Sequence, residues 1–378
     1  MNRRERLMAS LRGEPVDRPA VNFYEVSGTD QNPANDDPFN VFSDPSWLPI
    51  LELAREKTDI ILMRGAPWRS SSPDPLAELT TVEQETDANG TLFVTHTIRA
   101  GSRTLTSRVR RDPAINTVWT LEHYIKDVDD LKAWLDLPAA EPGGEVVSDS
   151  FLATEESLGD SGIAMLDTGD PICCVAPLFD LGTFTVVATT EPELFHRALE
   201  RAAAPLYERI EAVAEALPGR LWRICGPEYA SVPYLRPDLF HEYVTRYDAP
   251  IVEAIQKHGG YGRIHCHGRL KDILDHIAET GCTGLDPIEP PGQGDVTLAY
   301  VREKHGKQMT LFGNLEASDL ENLDTPQFEE KIRTALEEGT AGEGRGFVLM
   351  PSSCPYGRRI APHVLRNYER MVEMADEF

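Results

Sequence analysis

Leu221-Trp222-Arg223-Ile224-Cys225, Gly262-Arg263-Ile264-His265-Cys266-His267 and Thr283-Gly284-Leu285-Asp286-Pro287-Ile288 are three short apolar runs, bounded mostly by Gly, Pro or Asp. Residues 237–258 separate the first run from the second, and residues 271–280 the second from the third. Both connecting stretches repeat apolar residues every three or four positions, the period of a helix with one buried face. Strand, helix and strand in succession require parallel pairing, because a tight hairpin has no room for a helix. Similar runs occur at 20–24, 59–63, 162–167, 309–312 and 347–350, and helical stretches at 191–217, 326–338 and 362–375. About eight strand–helix units closing on themselves make an α/β protein, a (β/α)8 TIM barrel spanning 1–378 as a single domain. Its active site is then expected at the C-terminal ends of the strands.

Residues 92–97, 103–109 and 116–120 depart from this alternation and read as short extended segments. They predict a small antiparallel β insertion, about 92–120, after the second strand. Such an insertion either lies over or beside the barrel mouth or covers the outside as padding or a dimer contact. Residues 28–42, rich in Asn, Asp and Pro, predict a long loop after the first strand.

The 378 residues carry 37 Lys and Arg against 62 Asp and Glu, a net charge of −25. A polyanion of this size repels phosphate backbones and anionic lipid head groups, which disfavours nucleic-acid and membrane partners. No run approaches the length of a membrane span, and the basic start Arg3-Arg4-Glu5-Arg6 lacks the apolar stretch of a signal peptide. Six cysteines, two of them adjacent, are too sparse for a disulfide framework and fit a reducing cytoplasm.

Chemistry concentrates at Arg263-Ile264-His265-Cys266-His267-Gly268. Alternation along a strand sends His265 and His267 to one face and Cys266 to the other. Two imidazoles on one face suit zinc, with further ligands from neighbouring strand ends. Glu289 follows the next strand and Cys354 follows the last. A histidine pair and a single cysteine are also common as ordinary buried polar groups. Glu25, after the first strand, is a candidate general base or a loop cap. Glu228 and Tyr229 follow the fourth strand and are candidates for positioning substrate. Arg358-Arg359 can bind an anionic group or pair with nearby acids, Asp59 starts its strand on the stability face, and residues 342–346 read as a turn.

Arg3-Arg4-Glu5-Arg6, Leu11-Arg12-Gly13-Glu14-Pro15-Val16-Asp17-Arg18-Pro19, Gly169-Asp170-Pro171 and Gly313-Asn314-Leu315-Glu316 resemble segments of the uroporphyrinogen decarboxylase-like proteins. The resemblance spans most of the chain outside the insertion and implies a (β/α)8 barrel. Within that superfamily the corrinoid-linked methyltransferases carry a His-x-Cys strand motif and a late Cys as zinc ligands. His265-x-His267 with Cys354 is similar, with His in place of Cys. The spacing of 21 residues between His267 and Glu289 also resembles that of the cobalamin-independent methionine synthases. Glu289 is accordingly a fourth ligand or a hydrogen-bond acceptor for one of the histidines. The Arg-Gln-Ala-Gly-Arg segment of the decarboxylase is replaced here by Asn22-Phe23-Tyr24-Glu25-Val26-Ser27-Gly28.

The resemblance therefore implies a zinc-dependent methyltransferase moving a methyl group between a small substrate and a corrinoid. The chain has no Asp-x-His-x-x-Gly segment, so methylcobalamin is expected on a separate protein or free. The alternatives are a lyase or decarboxylase of a small carboxylated substrate on the same barrel, and a non-catalytic ligand-binding relative. A homodimer is also expected as an option, through the insertion.

Overall fold

The computed structural model describes all 378 residues. Its eight parallel strands are Ala20–Val21, Ile60–Gly65, Gly162–Gly169, Leu221–Cys225, Tyr261–His265, Gly284–Asp286, Thr310–Leu315 and Phe347–Pro351. They lie in the order first, eighth, seventh, sixth, fifth, fourth, third, second. That is the neighbour order of a (β/α)8 barrel. The first and second strands meet without a regular ladder, but the backbone N–H of Asp59 donates to the Val21 carbonyl at 2.7 Å. The Asp59 carboxylate in turn accepts from the Val21 N–H at 2.8 Å.

Alternation sorts the side chains into two cores. Trp222, Ile224, Ile264 and Leu285 face outward and pack beneath the surrounding helices. Leu221, Met165, Ile61, Phe312 and Val348 face into the barrel. The helix Arg3–Arg12 opens on a reciprocal Asn2/Glu5 cap, which satisfies donors that the first turn leaves free. Its Leu7 and Leu11 close the barrel floor within that inner core; burying each stabilises by roughly 1.5–3 kcal/mol. Asp59 is fully buried and ion-paired with Arg6 and Arg18 at 2.6 and 2.9 Å. This carboxylate fastens the floor, as its place at a strand start predicts.

The insertion is larger than expected. Its main sheet has four antiparallel strands, Thr80–Thr86, Leu92–Ala100, Arg103–Arg111 and Val118–Glu122. The strand at 80–86, Thr-Thr-Val-Glu-Gln-Glu-Thr, is exposed along nearly all its length, so no hydrophobic alternation marks it. Ile98, Ala100 and Leu105 pack with Leu137 in a small core of their own. The sheet sits beside the mouth: Ile115 pairs with Gly357 after the eighth strand, and the Asn116 N–H donates to the Tyr356 carbonyl at 2.8 Å. No helix is long and apolar enough to cross a membrane.

Candidate functional site

The inner face of the barrel turns polar at its C-terminal end. Parallel register sets His265 beside Asp286 and Arg263 beside Gly284. His265 Nδ1 lies 2.8 Å from Asp286 Oδ2, and the Arg263 guanidinium stands 3.0 Å from the other oxygen. Burial would raise the Asp286 carboxyl, but Arg263 and His265 hold it down at about 2. The ring of Tyr24 stacks on His265 at 6.0 Å, and its hydroxyl accepts from Arg223 at 2.5 Å. Arg223 also pairs with Asp167 at 2.7 Å. Four neighbouring strands and the segment after the first thus contribute to one network beneath His265.

His267 lies just past the end of the fifth strand, yet its ring still meets that of His265 edge-on at 4.7 Å. Its Nδ1 is 2.8 Å from Glu289 Oε1, while Glu289 Oε2 accepts from the Gly268 N–H at 2.6 Å. Burial opposes the charged imidazole, but the hydrogen bond and charge of Glu289, helped by Glu228, raise His267 overall. The same contacts lower Glu289 against its own burial. Glu289 thus meets His267 Nδ1 with one oxygen and the Gly268 N–H with the other.

Only two non-glycine residues take positive φ, Tyr24 and Ile288, both at 56°. Each immediately precedes one of the candidate carboxylates, Glu25 and Glu289. Left-handed backbone costs of order 1–3 kcal/mol and is least tolerated by a β-branched residue such as Ile. At Ile288 the strained turn brings Glu289 back onto His267 and Gly268.

The four proposed ligands do not gather at one point. Cys354 Sγ lies 3.2 Å from Glu25 Oε2, and burial first, then Glu25, push its thiol upward. No group of three or more His, Cys, Asp or Glu side chains is set in metal-holding geometry. The histidines themselves have the chemistry of zinc donors. Each Nδ1 is occupied by a carboxylate, leaving Nε2 for a metal, the pattern that orients metal-bound histidines. Arg358 is not available to an anion, because its guanidinium donates to Ser43 Oγ and to the carbonyls of Pro38 and Pro113.

A cavity of about 650 Å³ opens over His267 and includes Glu228, Tyr229 and Glu289 in its wall. Glu228 Oε2 accepts from the Gly226 N–H at 3.0 Å, and burial raises Tyr229 to about 12. Thr120 of the insertion also reaches this cavity. Sequence reasoning passed over Tyr24, Arg223, Arg263 and the role of Asp286. Period-two alternation from His265 back to Arg263 was the available signal for the last pair. It also passed over half-buried Glu316, whose carboxyl is raised by burial and by the charge of Glu289.

Among solved structures the chain is similar to a methyltransferase from Methanosarcina mazei, with 20% identity and a TM-score of 0.61 over 100% of this chain and 99% of that one. A D-psicose 3-epimerase from Clostridium cellulolyticum H10 aligns with 10% identity and a TM-score of 0.30 over 62% of this chain and 91% of that one. No curated protein matches the chain. The family model for uroporphyrinogen decarboxylase (URO-D) matches residues 116–378. That span holds six of the eight barrel strands and every element that carries His265, His267, Asp286, Glu289 and Cys354, and on it the chain belongs to the uroporphyrinogen decarboxylase family.

Proposed function

We propose that this chain is a zinc-dependent methyltransferase that moves a methyl group between a small substrate and a corrinoid. The observation that carries the reading is the histidine pair, with Nδ1 of each ring anchored 2.8 Å from a carboxylate at the barrel mouth. His265 and His267 would hold the metal through Nε2, and Cys354 would be the thiolate ligand once free of Glu25. Zinc supplies Lewis acidity toward the heteroatom that gains or loses the methyl group, and a site with two imidazoles favours oxygen or nitrogen over a simple thiol. Asp286 and Glu289 fix the tautomer and direction of the two rings. Glu228 and Tyr229 would orient substrate from the wall of the cavity, and Glu25, 3.2 Å from Cys354 Sγ, would take its proton. The methylcobalamin is a co-substrate on a separate protein or free.

A second reading, a lyase acting on a small carboxylated substrate, rests on the family and on the same cavity. The deciding experiment follows the cobalamin spectrum on incubation with methoxylated aromatics, methylamines and thiols. Methyl transfer with oxygen or nitrogen compounds, reduced in His267→Ala, supports the proposal. Release of carbon dioxide without methyl transfer supports the lyase.

A further inference from the structure

Two cysteines that the proposed chemistry leaves unused meet at the rim of the barrel. Cys225 ends the fourth strand, and alternation from Leu221 and Arg223 turns its side chain inward. Cys173 stands in the short helix Pro171–Val175 that follows the third strand. Parallel register sets Cys225 beside Gly169, and the Asp170 N–H donates to the Cys225 carbonyl at 2.9 Å. Asp170 caps the helix by accepting from the Cys173 N–H at 2.6 Å. Two glycines leave the room that Cys173 fills: a Cβ at Gly226 would lie 2.6 Å from Cys173 Cβ, and one at Gly169 would lie 3.1 Å from Cys173 Sγ. Held there, the Cys173 thiol is hydrogen-bonded to Cys225. Both residues are half-buried. Cys266 and Cys282, in contrast, are fully buried and donate to backbone carbonyls.

We propose that Cys173 and Cys225 are a site of reversible oxidation, closing to a disulfide between the rims of the third and fourth strands. A disulfide forms readily only where the fold already brings two side chains together, as the contact between these thiols does. The step balances with a hydroperoxide as oxidant. Hydrogen peroxide passes one oxygen to the first sulfur, giving a sulfenic acid and a water; the second thiol attacks that sulfur, the S–S bond forms and a second water leaves. Cys174 is exposed, but adjacent residues on a helix do not face each other, so it is not the partner of Cys173. The bond ties the helix Pro171–Val175 to the segment after the fourth strand, where the Gly226 N–H holds Glu228, so that oxidation reaches the wall of the cavity. The proposal is independent of zinc and of methyl transfer.

The experiment treats the folded full-length chain with a slight molar excess of hydrogen peroxide, blocks the remaining thiols with N-ethylmaleimide, and identifies cross-linked peptides by tandem mass spectrometry. Wild type is expected to lose two of its six free thiols and to yield the Cys173–Cys225 pair, both reversed by dithiothreitol. Cys174→Ser should behave as wild type. Cys173→Ser and Cys225→Ser should form no disulfide, and the thiol left behind in at least one of them should take up dimedone as its sulfenic acid. The proposal is overturned by the absence of a cross-link in folded wild type, by pairing of Cys173 with Cys174 in its place, or by no dimedone uptake in either variant. An equal yield of the Cys173–Cys225 pair from chain unfolded in guanidinium also overturns it, since the fold would then have no part in bringing the two thiols together.

Discussion

The Cys354 thiol, beyond the eighth strand, stands 3.2 Å from the Glu25 carboxylate, beyond the first. The contact ties the two ends of the barrel together at the rim, and zinc ligation by Cys354 requires it to open. Cys354→Ser should therefore lower zinc retention, whereas Cys266→Ser should not, because Cys266 is fully buried in the outer core beneath the helices. Elemental analysis after dialysis measures both. Equal losses would mean that Cys266 reaches the metal, and no loss in Cys354→Ser would leave Cys354 bound to Glu25.

Glu289 holds His267 by a hydrogen bond and by its charge. Glu289→Gln removes the charge that raises His267, so the imidazole of the metal-free variant should titrate at lower pH than in wild type. Histidine C2–H chemical shifts against pH read this directly. Zinc affinity should fall about 10- to 100-fold, the usual cost of losing the group that orients a metal-bound histidine. An unchanged His267 titration would show that Glu289 does not hold the ring in solution.

Asp286 balances two buried partners, His265 and Arg263, and is itself fully buried. Asp286→Asn leaves the Arg263 charge without a counter-ion and should cost about 3–5 kcal/mol. Chemical denaturation is the measurement. The double variant Arg263→Met, Asp286→Asn should recover part of the loss, since no unpaired charge remains. A single variant as stable as wild type would contradict the ion-pair account.

Asp170 and Asp248 are both fully buried in the wall, and apart from each other Asp170 Oδ2 and both Asp248 oxygens have no hydrogen-bond partner. Burial and then mutual repulsion raise Asp170, and burial raises Asp248. A carboxyl raised in the folded state contributes its stability at low pH and loses it as pH rises from the ordinary carboxylate range through the folded value. Asp248→Asn should therefore change stability little at pH 5 and raise the melting temperature at pH 8 by about 2 °C or more. Thermal unfolding across this range checks it, and a variant that is equally destabilised at both pH values would contradict it.

The eight barrel strands were legible because they are short apolar runs mostly bounded by Gly, Pro or Asp, with a helical period after most of them. The strand Thr80–Thr86 was not, because it lies in a sheet exposed to solvent and carries no burial pattern. His265 and His267 stood out through period-two spacing, and their rings do meet. The position of Glu289 depends on positive φ at Ile288, which no propensity of Ile would suggest. Cys354 lies in an aperiodic loop, and its partner Glu25 is 329 residues distant in sequence.

The most direct test of the central claim is the rate of methyl transfer with cobalamin as a function of zinc occupancy, using protein first stripped of metal. The account predicts no transfer in the stripped protein, a rate rising linearly to one zinc per chain, and no restoration in His267→Ala. A full rate without zinc, or carbon dioxide release in place of methyl transfer, would contradict it.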